Sequence, residues 1–228
     1  VRIIEADRAI GREVFMQLEV VTEELKDKPH SLIAIDNVPN LSQGETEELI
    51  DRIRSLRAMG VGVFMSCRPS NRQLIHGLGD SIKVNAQMLK VHAYEYSAWA
   101  SAFSISTSLD FYQLTQGVPE LVSAMQSGLY GQGDVAQMLE NEIVNIYGAA
   151  LVDLASLENN ALFSVACLMV LMGEGNISEL EACGVRLSAI DQSYLVRDYP
   201  IFGVDPADRS FTCLGTEDNA RLRLRKLV

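Results

Sequence analysis

The chain has 228 residues, 48% of them apolar, enough to bury a core in one large or two small domains. Its formal net charge of −11 argues against a general binder of the nucleic-acid backbone, an affinity that rests on clustered Lys and Arg. The longest strongly apolar stretch, 161–172, falls short of the roughly 20 residues that cross a bilayer, and no basic segment followed by an apolar one opens the chain, so a soluble, cytoplasmic protein without a membrane partner is expected.

The first 92 residues alternate strand-like and helix-like patterns, the order that builds a parallel sheet with helices on its faces. Residues 2–5 read as a short strand. Because the chain begins with Val1 and is already strand-like there, the natural protein is expected to extend further upstream. A helix follows over 9–25, with Ile10, Val14, Leu18 and Val21 at helical spacing. The apolar run Leu32-Ile33-Ala34-Ile35 lacks period-2 alternation and suits a central strand covered on both sides, closed by Asp36. A second helix starts at Ser42 with a capping-type pattern and ends at Gly60; its Leu49, Ile50, Ile53, Leu56 and Met59 form one apolar stripe. Residues 61–65 form the next buried strand, followed by the polar cluster 66–71, and a fourth strand is expected within 83–91.

Beyond residue 92 the pattern turns helical, over 94–103, 108–114 and 119–125, with Gly117-Val118-Pro119 marking a stop and restart. Gly128, Gly131 and Gly133 read as an interdomain hinge rather than an anion cradle. Helices are then expected over 135–147, 151–157, 160–172, 178–182 and 187–192, and a hairpin from 195–202 and 211–214 around Asp205-Pro206-Ala207-Asp208. Three helices and a hairpin suggest a winged helix. The stretch 131–216 holds three basic residues (Arg186, Arg197, Arg209) against twelve acidic ones, which should repel DNA. Arg221, Arg223, Arg225 and Lys226 gather at the end of the chain and read as a helix leading to further domains. Cys67, Cys167, Cys183 and Cys213 lie in apolar contexts without a CxxC pair and read as buried, reduced thiols. The three histidines show no metal-binding spacing.

Asp36 is the strongest candidate for chemistry, because ligands bind at the carboxyl ends of strands in open α/β sheets and an acid there can hold Mg²⁺ beside nucleotide phosphates. An Asp after a buried strand also serves as a plain turn or cap residue. Ser66-Cys67-Arg68 ends the neighbouring strand and brings a hydroxyl and a guanidinium to the same sheet edge, where they can meet a γ-phosphate. Taken by itself, Arg68 is equally a solvated loop arginine.

The order of these features resembles the signal-transducing ATPases with numerous domains, in particular the ATPase module of bacterial transcription regulators of the maltose-activator and LuxR-like type. Leu32 to Asn37 stands where that family has its Walker B strand, and Phe64-Met65-Ser66-Cys67-Arg68 where it has a sensor strand. Thr115-Gln116-Gly117-Val118-Pro119 resembles its Gly-x-Pro motif, whose proline lies against the adenine, and Leu162 through Leu214 its winged-helix segment. The resemblance implies a P-loop NTPase-like α/β core truncated at its N-terminus (1–92), a helical lid (93–130) and a helical, winged-helix-like domain (131–228). It implies ATP or ADP with Mg²⁺ as cofactors, held between the core and the winged-helix segment. In that reading Asp36 serves the metal, Arg68 and Ser66 the phosphates, and Gly117 and Pro119 the base.

Two departures stand out. No GxxxxGK[ST] phosphate loop occurs, since none of Lys26, Lys28, Lys83, Lys90 or Lys226 follows a glycine, and the loop is expected upstream of Val1. Asn37 occupies the place of the second acid that polarises water; Asn can orient water but cannot take its proton, so only weak ATPase activity is expected, and only with the upstream loop. The expected function is a nucleotide-controlled switch whose partners are nucleotide and other domains of the same polypeptide, with self-association left open. The alternative is a scaffold that no longer binds nucleotide and acts through protein contacts.

Overall fold

The computed structural model describes residues 1–6, 11–26, 28, 30–92, 94–95, 112, 115–130, 135–157 and 160–214. The chain divides into two compact units, Val1–Ile82 and Lys83–Val228. No helix among the described residues is long and apolar enough to cross a membrane.

The first unit is α/β. Strands β1 (Arg2–Glu5), β2 (Leu32–Val38) and β3 (Gly62–Cys67) form a parallel sheet in the order β1-β2-β3. Helix α1 (Gly11–Leu25) connects the first pair and α2 (Gln43–Ala58) the second, and the short α3 (Arg72–Gly77) follows β3. Because strand side chains alternate, Ile4, Ile33 and Ile35 point to one face. They form a core with Val14, Phe15 and Leu18 of α1 and Leu49, Ile53 and Leu56 of α2. The cross-strand row Ile3, Ala34 and Phe64 belongs to the opposite face. There Ile3 and Phe64 are 71% and 62% exposed, so the apolar run of β2 is fully buried on one side only.

Local signals set the limits of α2. Ser42 and Glu45 make a reciprocal capping box, and the Ser42 hydroxyl and backbone N–H hold the Glu45 carboxyl below its ordinary pKa. At the other end Gly60 takes φ 79°, while the Val61 N–H donates to the Leu56 carbonyl and the Gly60 N–H to that of Arg57. This is the left-handed termination that glycine favours, with buried Val61 close to buried Leu56 in the paired backbone.

The second unit is mostly helical. Its helices are α4 (Pro119–Tyr130), α5 (Val135–Ala155), α6 (Asn160–Met172), α7 (Ile177–Ala182) and α8 (Ala189–Asp198). Strands β4 (Glu174–Asn176), β5 (Phe202–Asp205) and β6 (Ser210–Cys213) form an antiparallel sheet in the order β4-β6-β5. Leu121, Met125, Tyr147, Leu154, Ala166, Met169, Leu195, Phe202 and Phe211 lie in one core. Tyr147 joins its parts: its hydroxyl donates to the Leu214 carbonyl at 2.8 Å, and its ring meets Phe202 edge-on.

Several expectations are corrected. Residues 83–91 contain no strand; Ala86–Leu89 is a 3₁₀ turn capped by the Asn85 side chain, which accepts from the Met88 N–H. The helices expected over 135–147 and 151–157 are one continuous α5, because Gly148 alone does not outweigh the burial of Tyr147 and Leu151 on either side. Residues 195–198, read as strand, complete α8, whose Tyr194 and Leu195 are buried. Strand β4 is an addition, and Gly128 lies inside α4. None of the four cysteines forms a disulfide, but Cys183 is exposed, as the residue that ends α7. Most of the helices expected over 94–103 and 108–114 lies outside the described residues, as do Gly131, Gly133 and the basic cluster 221–226.

Candidate functional site

The carboxyl end of the parallel sheet gathers four of the expected residues. The β2–β3 register is regular from Leu32 to Ile35 and then shifts between Ile35 and Val38, so Asp36 and Asn37 form an irregularity at the strand end. Asn37 adopts φ 56°, a left-handed conformation that costs a non-glycine residue strain, least so for Asn and Asp. The Ala6 N–H donates to the Asp36 carbonyl at 2.9 Å, tying the irregularity to the end of β1.

Ser66 holds the other side. Its hydroxyl donates to Asp36 Oδ1 at 2.5 Å and accepts from the Asn37 N–H at 2.7 Å. One hydroxyl thus orients the carboxylate and satisfies the amide of the strained residue. The loops after β2 and β3 are joined further out, where Asn40 Nδ2 donates to Ser70 Oγ at 3.0 Å and Asn71 Nδ2 to the Pro39 carbonyl at 3.0 Å. Arg68 lies between these tethers and is exposed.

Asp36 is the one carboxylate among these four residues. Asp36 is exposed and offers a carboxylate oriented by Ser66, and Mg²⁺ in nucleotide sites is bound through one or two carboxylates plus phosphate oxygens. A metal site built from protein alone needs more: among the described residues no group of three or more His, Cys, Asp and Glu is placed to hold an ion.

Gly117 and Pro119 belong to the second unit. Gln116 and Gly117 take φ 45° and 73° in succession, and Pro119 opens α4 at the first helical position, where its missing N–H costs no hydrogen bond. The Val91 N–H donates to the Gly117 carbonyl at 2.8 Å. A Cβ on residue 117 would lie 2.1 Å from the Val91 carbonyl oxygen, so this position admits only glycine.

Sequence reasoning did not find the Ser66 hydroxyl's double role or the irregularity at Asn37. The Asn after an apolar strand was the available signal, since Asn tolerates left-handed backbone. Comparison with models of protein families, with curated proteins and with solved structures found no match.

Proposed function

We propose that the chain is a nucleotide-controlled regulatory module of the kind its sequence resembles, a piece of a signal-transducing ATPase in a bacterial transcription regulator. The observation that carries this reading is the Asp36–Ser66 pair at the end of the central parallel strand, with Arg68 two residues beyond Ser66. An oriented carboxylate at a strand's carboxyl end is the place where a P-loop-type site holds Mg²⁺. Arg68 supplies an exposed guanidinium for the γ-phosphate, and Gly117 and Pro119 are the residues that the resemblance assigns to the base.

Two further features support it. The strand order β1-β2-β3 puts the acid-bearing strand between its two neighbours in a parallel sheet. The run α6–β4–α7–α8–β5–β6, with β6 paired between β4 and β5, has the element order of a winged helix. DNA binding by that element is disfavoured by its charge: on α8 the exposed Arg197 is held by Asp198 through two hydrogen bonds, of 3.0 and 2.6 Å. The scaffold alternative draws on Asn37, which stands where a water-polarising acid is expected.

Calorimetry with Mg-ATP and ADP tests the reading, on a chain extended upstream of Val1 and on its Asp36→Ala and Arg68→Ala variants. Micromolar binding weakened by both substitutions is the expected result. No binding by the extended chain overturns the switch in favour of the scaffold.

A further inference from the structure

The second unit contains a cleft of about 440 Å³ lined by Gln87, Lys90, Val91, His92, Tyr112 and Gln116. Its volume falls in the range of small-molecule sites, and its walls are held by the close approach at Gly117. Behind Gln116, the backbone N–H of that residue donates to the Tyr112 carbonyl at 2.7 Å, and the Val91–Gly117 bond clamps the two sides of the wall together. Gln116 itself is a left-handed non-glycine residue facing the cleft, the kind of strained position that clusters at ligand sites.

The charged and titratable groups that the described residues bring to the wall are basic. Lys90 and His92 line it and, among the described residues, no acidic one does; Glu95, three positions along from His92, accepts from the His92 backbone N–H at 2.9 Å. Lys90 makes no ion pair among the described residues, and partial burial pulls its pKa below the ordinary lysine value. Lys90 is thus a half-buried cation with no ion-pair partner among the described residues, and an anion in the cleft would offset its lost hydration. Flat surfaces are also present: the His92 ring stacks on Tyr94 with centroids 5.6 Å apart and planes 7° from parallel, and Tyr112 forms another part of the wall.

We propose that this cleft binds a small planar aromatic anion, with Lys90 meeting its charge, Gln87 and Gln116 its polar edge, and His92 and Tyr112 its ring. The binding needs neither Mg²⁺ nor a γ-phosphate, and all of its described lining residues belong to the second unit, so it can be tested independently of Asp36 and Arg68. The anionic group can be a carboxylate or a nucleotide phosphate.

The test is saturation-transfer NMR on the full chain without added metal and with EDTA present. The probes are salicylate and AMP, each beside its neutral counterpart, salicyl alcohol or adenosine. Transfer to at least one anion and not to its neutral counterpart is expected, and the anion that binds identifies the charged group. Lys90→Gln should weaken that binding about ten-fold or more, the scale of one lost charge-assisted hydrogen bond. Gln116→Gly, which relieves the positive φ while removing the side chain, should weaken it without lowering the melting temperature, and so separates binding from folding. Absence of transfer to both anions, equal transfer to the neutral compounds, or unchanged affinity in Lys90→Gln overturns the proposal.

Discussion

Tyr199→Phe removes one oxygen atom from the interior of the second unit, and its cost can be worked from the surroundings. Tyr199 is 4% exposed and Asp153 3%, and the phenol donates to Asp153 Oδ2 at 2.6 Å across 46 positions of sequence. The Tyr194 hydroxyl lies 3.4 Å from that of Tyr199, with the two rings edge to face. A buried hydrogen bond to a carboxylate contributes about 1.5–3 kcal/mol, and Phe in its place takes this donor away from Asp153 Oδ2. Urea unfolding followed by far-UV circular dichroism should therefore show the variant less stable by about that amount at neutral pH. The pH dependence supplies an independent check. Burial, and then the hydrogen bond to Asp153, push the Tyr199 phenol far above its ordinary range. The unfolded chain releases this proton above about pH 10 while the folded chain keeps it, so the contribution is complete below that pH and is lost as pH rises. Because the variant has no such group, the gap between the two proteins should narrow above pH 10 by about 1.4 kcal/mol per pH unit. A gap under about 0.5 kcal/mol at neutral pH, or one that stays constant up to pH 11, would refute the reasoning.

Two other substitutions probe the strained positions. Gly117→Ala sets a Cβ 2.1 Å from the Val91 carbonyl oxygen at a residue with φ 73°, so a loss of at least about 2 kcal/mol is expected in thermal unfolding; a variant as stable as the parent contradicts the close approach. Asn37→Gly removes the strain of φ 56° and keeps the backbone N–H that donates to Ser66. It should change stability by less than about 1 kcal/mol in either direction, because the relief is set against the greater freedom of glycine in the unfolded chain; a larger loss would mean that the Asn37 side chain holds the strand end.

Much of the secondary structure was legible because its causes are local. Ser42 and Glu45 start α2 and Gly60 stops it within a few residues of chain, and the apolar spacing of Val14 and Leu18 marks the buried side of α1. The same kind of signal fails where a partner decides. Strand β4 is Glu174-Gly175-Asn176, a sequence with no strand preference, and it is a strand because β6 pairs with it. Residues 83–91 carry apolar side chains but pair with no strand among the described residues, and Ala86–Leu89 settles into a 3₁₀ turn.

The candidate site divides along the same line. Sequence alone identified Asp36 at the end of an apolar strand and Ser66 and Arg68 at the end of the next, since strand ends and their polar residues can be read in order along the chain. Only the tertiary structure decided that Ser66 grips Asp36 and the Asn37 amide, that the β2 register shifts there, and that Lys90, His92 and Gln116 line one cleft. Those relations depend on register and on hydrogen bonds between residues about 30 positions apart, and no local propensity encodes them.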